Sequence, residues 1–367
     1  MIAASFATIH ERNNLHLGQL MGDHSMLMRL QNEESIPLSE FTKKYDPVSS
    51  LSLENGGILP FAKKLKEGSV ELPEFSTQER PMTMIEKLVS NKLLGTNGKK
   101  SFVKPGDAVL AQVDGGYSHE FTTAQVHTFL ADEYGEDYNI PRPSKFAVFE
   151  DHLLYATGVP RFGKFTDKIQ TLRDMQNSFQ VHTGVRDYSA KDGVSPGICH
   201  QVAREEFIDV GDFIQATDSH TCMGGASNAL AYGVGSTEYA NLIHNQFAFV
   251  KVPESIRFEL IGTLDDGCTA KDVILHILWH YAKHSDTLDR SMEFGGPGLA
   301  SISMDERATL CNMATECSAK TGICDPDQLT IDWLLARRDN LDEEEIRSAF
   351  IHADAGAHYD GGVTTLH

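Results

Sequence analysis

Residues 215–244 read QATDSHTCMGGASNALAYGVGSTEYANLIH, and this stretch decides the reading of the fold. The apolar lead-in Phe213-Ile214 runs into Asp218-Ser219-His220 and then Gly224-Gly225. An Ala-rich run with a helical pattern follows, and Gly233, Gly235 and Thr237-Glu238 open another helix. Strand, polar turn, glycine and helix is the order that presents side chains at the carboxyl end of a parallel strand, where open α/β sheets keep their ligands. Glycine at such a turn lets backbone approach a ligand, and a helix start offers free N–H groups to an anion. Two readings of these residues stand side by side. One is a functional turn that gathers a carboxylate, a hydroxyl and an imidazole; the other is an ordinary N-cap beside a hydrogen-bonded histidine.

A chain of 367 residues is too long for one ordinary core, so two or three domains are expected. The hydrophobic content of 41% with only two Trp suits a soluble globular enzyme. No apolar run is long enough to span a bilayer. His10, Glu11 and Arg12 interrupt the N-terminus before the apolar core of a signal peptide develops, so a cytoplasmic location is expected. The net charge of −20 argues against nucleic acid as a partner. It also supplies no global attraction for an acidic substrate, which must then be met by local cations or helix N-termini. The six cysteines (199, 222, 268, 311, 317 and 324) contain no C-x-x-C pair and read as free, often buried thiols.

Residues 1–81 look unlike the rest. Met21–Leu30 suits a helix, whereas Ser35–Pro81 is dense in Ser, Glu, Pro and Gly and reads as an extension wrapping the body. Regular patterning begins at Met82, where Thr83-x-x-Glu86 is a capping box ahead of Ile85, Leu88 and Val89. Ala108–Val113 and Ala147–Phe149 read as short buried strands, the second delivering Glu150-Asp151-His152 at its end. Ile169, Leu172, Met175 and Phe179 share a helix face. Val252-Pro253 suits a boundary, beyond which Ile256–Ile261 alternates as a strand. Thr269-x-x-Asp272 and Ser303-x-x-Glu306 cap two more helices, the latter expected to run to about Lys320, and helices are expected over Thr330–Arg337 and Asp342–Phe350. Polar residues thus recur just past short apolar runs, as in a parallel-sheet active site.

Asp151 beside His152 is the first chemical candidate, because a carboxylate raises an imidazole's hold on its proton. Neighbours on an extended strand face opposite ways, so their pairing requires a turn, and a solvated Asp-His is the commoner outcome. Asn312 and Glu316 are four apart and would share a helix face.

Several of these segments resemble one family in the same order. TDSHT, the Gly-containing spacer and ALAYGVGSTE are similar to the hallmark of the aconitase and 3-isopropylmalate dehydratase large-subunit family. EDHL (150–153), ICHQ (198–201), MEFGGPG (292–298) and LCNMATECSA (310–319) extend the resemblance from about Met82 onward. It implies aconitase-like three-layer α/β/α domains with largely parallel sheets, the first over 82–251 and the second over 252–367, after a 1–81 extension. It implies His152 as the group assisting loss of a substrate hydroxyl, Asp151 and Asp218 as carboxylates paired with the site's imidazoles, and His200 as the partner of Asp218. It further implies that Glu316 orients His220, and that Gln125, Ser219 and Asn312 contact substrate. SHEFTTAQ (118–125) departs from the family's H-D-x-T-x-x-Q by carrying Glu120 where Asp is usual.

The implied reaction is reversible removal of water from a hydroxy di- or tricarboxylate, assisted by a 4Fe–4S cluster. The family's three cluster cysteines lie in a G-S-C-T-N segment and a later C-x-x-C, neither of which occurs here, so this chain has no ligand set for the cluster. Metal ligands are accordingly not expected in it. A second chain or further domains would supply the cluster, the substrate arginines and a swivelling domain. The alternative is a cluster-free module that binds a carboxylate or a protein without catalysis. A nucleophilic role for Cys222 would need a base and a depressed pKa that spacing does not reveal.

Overall fold

The computed structural model describes residues 1–6, 8–72, 77–95 and 100–367. Its first regular helix after the N-terminal region, Met84–Asn91, starts on the expected capping box: Thr83 Oγ1 accepts from the Glu86 N–H and the Glu86 carboxylate accepts from the Thr83 N–H. Ile85, Leu88 and Val89 are buried, as their spacing predicts. Eleven strands follow among the described residues: β1 (Ala108–Gln112), β2 (Gly115–His119), β3 (Phe146–Phe149), β4 (Arg186–Tyr188), β5 (Phe213–Ala216), β6 (Leu230–Gly233), β7 (Phe247–Lys251), β8 (Ser255–Leu260), β9 (Ser291–Gly295), β10 (Thr321–Cys324) and β11 (Val363–Leu366).

The strands form a five-stranded sheet in the order β4-β3-β2-β5-β6 and a four-stranded sheet in the order β10-β9-β8-β11. Every pairing in both is parallel; only the β1–β7 ribbon is antiparallel. Parallel sheets require cover on both faces, which explains why β2, β3 and β5 are buried at every position. In the first sheet the chain moves outward from β2 through β3 to β4, then returns to the other side of β2 with β5. The switch point therefore lies between β2 and β5, and a crevice is expected at their carboxyl ends.

Two elements differ from expectation. The Ala-rich run after Gly224-Gly225 is not a helix: Ser219–Ser227 winds in 3₁₀ turns and Leu230–Gly233 is β6. Every residue from Gly224 to Tyr232 is buried, and a run buried all round loses the periodicity that separates helix from strand. The helix from Met304 ends at Asn312 rather than near Lys320, because the chain must turn back to enter β10; Ser318 takes a positive φ of 56° in doing so. Asn312 and Glu316 therefore do not share a helix face, and Glu316 is carried by the turn that follows. The Ser35–Pro81 stretch, with residues 73–76 outside the described part, contains three helices: Leu38–Thr42, Pro47–Glu54 and Ile58–Lys66. The last of these buries Phe61 against Phe249 of β7, their ring centroids 5.2 Å apart.

The two sheets are locked together by buried polar groups. Glu293 of β9, fully buried, accepts from the Met84 and Ile85 N–H groups and from Tyr359 Oη, so a carboxylate of one sheet caps a helix packed on the other. The Asn228 amide spans the Cys324 carbonyl and both backbone groups of Ile351. Among the described residues no helix is long and apolar enough to cross a membrane.

The 3₁₀ segment seats directly on β10. A Cβ built on Gly225 would lie 1.8 Å from the Gly322 carbonyl oxygen, an overlap with backbone that no rotamer relieves. Gly225→Ala is expected to cost roughly 3 kcal/mol or more, as overpacking does, seen as a lower urea midpoint at unchanged m-value. A midpoint equal to wild type would show that the two surfaces part without penalty.

Candidate active site

The carboxyl ends of β2, β3 and β5 bring their polar residues to one place. Just past β3, the backbone of Asp151, His152 and Leu153 turns over the buried carboxylate of Glu120, which accepts all three N–H groups. This is the turn that the Asp-His pairing requires. It swings the imidazole of His152 back so that Nδ1 lies 2.7 Å from Asp151 Oδ1, while Nε2 lies 2.9 Å from Asp218 Oδ2. Asp151 is itself fixed by the Cys199 N–H, 2.7 Å from its other oxygen.

Asp218, just past β5, is the hub. Its Oδ1 accepts from the His220 N–H at 2.8 Å and faces His200 Nε2 at 3.0 Å. Asp218 thus caps the 3₁₀ segment and pairs with imidazoles at once. The buried Tyr117 Oη lies 2.8 Å from His200 Nδ1 and holds the far side of that ring. Gly233 packs beneath: a Cβ there would come within 2.3 Å of the Asp218 carbonyl oxygen. His220 Nε2 meets Glu316 Oε1 at 2.8 Å, and Ser219 Oγ lies 3.5 Å from His220 Nδ1.

With a carboxylate on each ring nitrogen, His152 favours its doubly protonated form. The hydrogen bonds to Asp151 and then Asp218 outweigh partial burial and push its pKa up to about 10. Burial alone would raise Asp218 and Asp151, but hydrogen bonds from His152, joined by His200 for Asp218 and the Cys199 N–H for Asp151, hold both below the usual carboxylate range. His119, at the end of β2, stacks flat on His152 with ring centroids 3.7 Å apart and planes inclined by 10°. Burial and then the neighbouring His152 push His119 down to about 4, so a neutral ring lies against a charged one.

Of the residues singled out from sequence, Asp151, His152, His200, Asp218, Ser219, His220 and Glu316 come together through these contacts. Asn312 joins them along a cavity of about 480 Å³ that His200, Glu316 and Lys271 also line. Gln125 does not share a contact with the imidazoles among the described residues; it is exposed on the helix Thr123–Tyr134 and accepts from Ser236 Oγ at 2.9 Å. Sequence reasoning assigned no role to Tyr117, His119 or Glu120. The Glu120 substitution within SHEFTTAQ was the available signal, because a lone buried carboxylate needs donors and the following strand end provides three.

Two trios, His119-Glu120-His152 and His200-Asp218-His220, each place possible ligand atoms within 4.8 Å of one another. Apart from His119, their members are engaged in the hydrogen bonds just described. The thiols do not suit a cluster. Cys311 Sγ and Cys324 Sγ are 3.6 Å apart in the core, and Cys268 is exposed elsewhere. Cys199 and Cys222 lie beside the site, but burial pushes both thiols up, Cys222 to about 12, and Cys222 Sγ faces the Asn312 carbonyl at 3.3 Å. Such a thiol is neither a thiolate ligand nor a nucleophile.

The raised pKa of His152 has a signed consequence. Its charge stabilises the fold fully below the unfolded value near 6.5, and that contribution is lost as pH rises through about 10. Carbon-bound proton shifts of His152 are expected to hold the imidazolium position through pH 8, and Asp218→Asn should lower the midpoint. A wild-type midpoint near 6.5 would contradict the pairing.

The sequence that builds this geometry matches known proteins. A sequence model of the aconitase family (aconitate hydratase) matches residues 88–365. A probable 3-isopropylmalate dehydratase large subunit of Methanothermobacter thermautotrophicus is 34% identical over 251 residues, covering 68% of this chain and 56% of that protein. A methanogen homoaconitase large subunit of Methanocaldococcus jannaschii is 32% identical over 72% of this chain and 57% of its own length. The chloroplastic 3-isopropylmalate dehydratase large subunit of Arabidopsis thaliana is 32% identical over 69% and 49%. The chain thus spans about half the length of the curated relatives it matches.

Proposed function

The chain belongs to the aconitase family, and from that premise we propose that it carries the proton-handling part of a hydro-lyase site acting on a hydroxy di- or tricarboxylate. The observation that carries this reading is His152 clamped between Asp151 and Asp218. Elimination of water needs an acid that holds a proton at neutral pH and gives it to a departing hydroxyl. His152 is such an acid, and its Nε2–H is the mobile one: when a substrate hydroxyl takes the place of Asp218 as acceptor, the carboxylate keeps its bonds to His200 and the His220 N–H. Tyr117 and His200 steady Asp218, and Glu120 fixes the turn that aims His152. Ser219 and Asn312, which lie with the imidazoles, contact substrate, as does His220, oriented by Glu316.

The names of the relatives support a hydroxy-carboxylate substrate, and "large subunit" supports a separate partner chain. The thiols of this chain do not fit the 4Fe–4S cluster that the family implies, so the cluster and the cations for substrate carboxylates are assigned to further protein, a partner or a further domain. The same misfit favours one second reading: alone, this chain binds a hydroxy-carboxylate without turning it over.

Two measurements test the proposal. Mixed with the complementary cluster-bearing protein, the chain should hydrate an unsaturated di- or tricarboxylate, followed by loss of ultraviolet absorbance, and His152→Gln should lower kcat by roughly 10²–10⁴-fold. An unchanged kcat would remove His152 from the chemistry. Anaerobic reconstitution of the isolated chain with iron and sulfide should give no stoichiometric cluster absorbance. Stoichiometric absorbance lost on Cys222→Ser would assign a ligand to this chain after all.

A further inference from the structure

His119 closes β2 in register with Phe149 of β3, and the next residue, Glu120, donates its N–H to the Phe149 carbonyl at 3.0 Å. The chain past β3 then folds back over the Glu120 carboxylate, so His152, three residues beyond Phe149, comes to rest on the His119 ring. The main chain of His119 is held just as firmly. Its carbonyl accepts from the Thr122 N–H at 2.9 Å and from Thr123 Oγ1 at 2.8 Å.

His152 is thereby fixed in two directions. Asp151 and Asp218 hold its ring nitrogens in the plane, while His119 covers one face, and a third of the side chain stays open. His119 itself is 3% exposed, and its Nδ1 is buried without a hydrogen-bond partner. The backbone of Thr217 is the hydrogen-bonding group that acts on this ring. An unpaired buried nitrogen is costly, and an aliphatic side chain would fill the same place without that cost. What imidazole has and an aliphatic chain lacks is a flat π face. An aromatic face within about 6 Å of a cation stabilises the cation, and a neutral imidazole presents such a face. Burial and then the His152 charge keep His119 neutral.

We propose that His119 is a positioning residue for the proton donor: its ring face keeps the His152 imidazolium charged and flat. This rests on the reading of His152 as the acid. In that reading a substrate hydroxyl displaces Asp218, and His152 then keeps one edge contact, to Asp151. A ring held by one edge can turn about that contact; a ring also pressed against a flat face cannot. The groups that set the charge of His152 are then Asp151 and Asp218 at its edges, His119 on its face and Glu120 beneath its backbone N–H.

Titration of the carbon-bound protons of His152 in the whole chain tests this without any turnover. Leucine at 119 keeps the face covered but removes the π system. His119→Leu should lower the His152 midpoint by roughly half a unit to one and a half units, the worth of one cation–π contact. His119→Phe should hold or raise it. If the leucine variant does not fold, phenylalanine decides alone, since a ring that served only as cover would desolvate the charge and lower the midpoint. A midpoint unmoved by leucine, or lowered by phenylalanine, would overturn the proposal. Mixed with the complementary cluster-bearing protein, His119→Leu should lower kcat roughly tenfold at unchanged KM, and His119→Phe should restore it. Failure of the acid reading looks different: His152→Gln would leave kcat unchanged while the midpoint shifts at 119 persist.

Discussion

A carboxylate taken out of water must be given hydrogen bonds, and the site is built around that requirement at Asp218. The group sits at the carboxyl end of β5, largely shielded, and it accepts from the backbone of His220 and from the rings of His152 and His200. Removing the partners of a buried charge typically costs several kcal/mol, so those groups are held where they are by the same need that holds Asp218. Each is steadied in turn from outside: His200 by Tyr117, His152 by Asp151 and by the backbone turn over Glu120, and the turn by the buried end of β2. The positions of three strand ends thus become the positions of three imidazoles.

Much of this was legible in the residues. The capping boxes at Thr83, Thr269 and Ser303 are present as read, since a cap is a local pattern of four residues. The couples Asp218–His200 and Glu316–His220 also stand, although they came from resemblance, because no spacing announces a contact across 96 residues. The Ala-rich run became a strand because full burial erases periodicity. The helix expected to reach Lys320 ended early because its length is set by where β10 must begin. Pairing of the last strand, Val363–Leu366, with β8 rests on a register that nothing local encodes. The stack of His119 on His152 was likewise invisible: two strand ends meet only after the sheet is assembled.

The N-terminal region shows the same limit differently. Its composition suggests loose wrapping, yet it folds as short helices whose apolar faces enter the core shared with β1 and β7. Asp46 followed by Pro47 was a helix start in plain view. Composition averaged over a long stretch hides such punctuation.

The contact of Gly225 with Gly322 has a bearing on ancestry. The turn that carries Asp218, Ser219 and His220 rests on a strand of the other sheet, with only backbone between them. A gene divided near codon 252 would leave one product with an unsupported turn and the other with a bare strand. Two products divided there would have to reassociate through this backbone contact before the turn could hold its carboxylate and imidazoles in place.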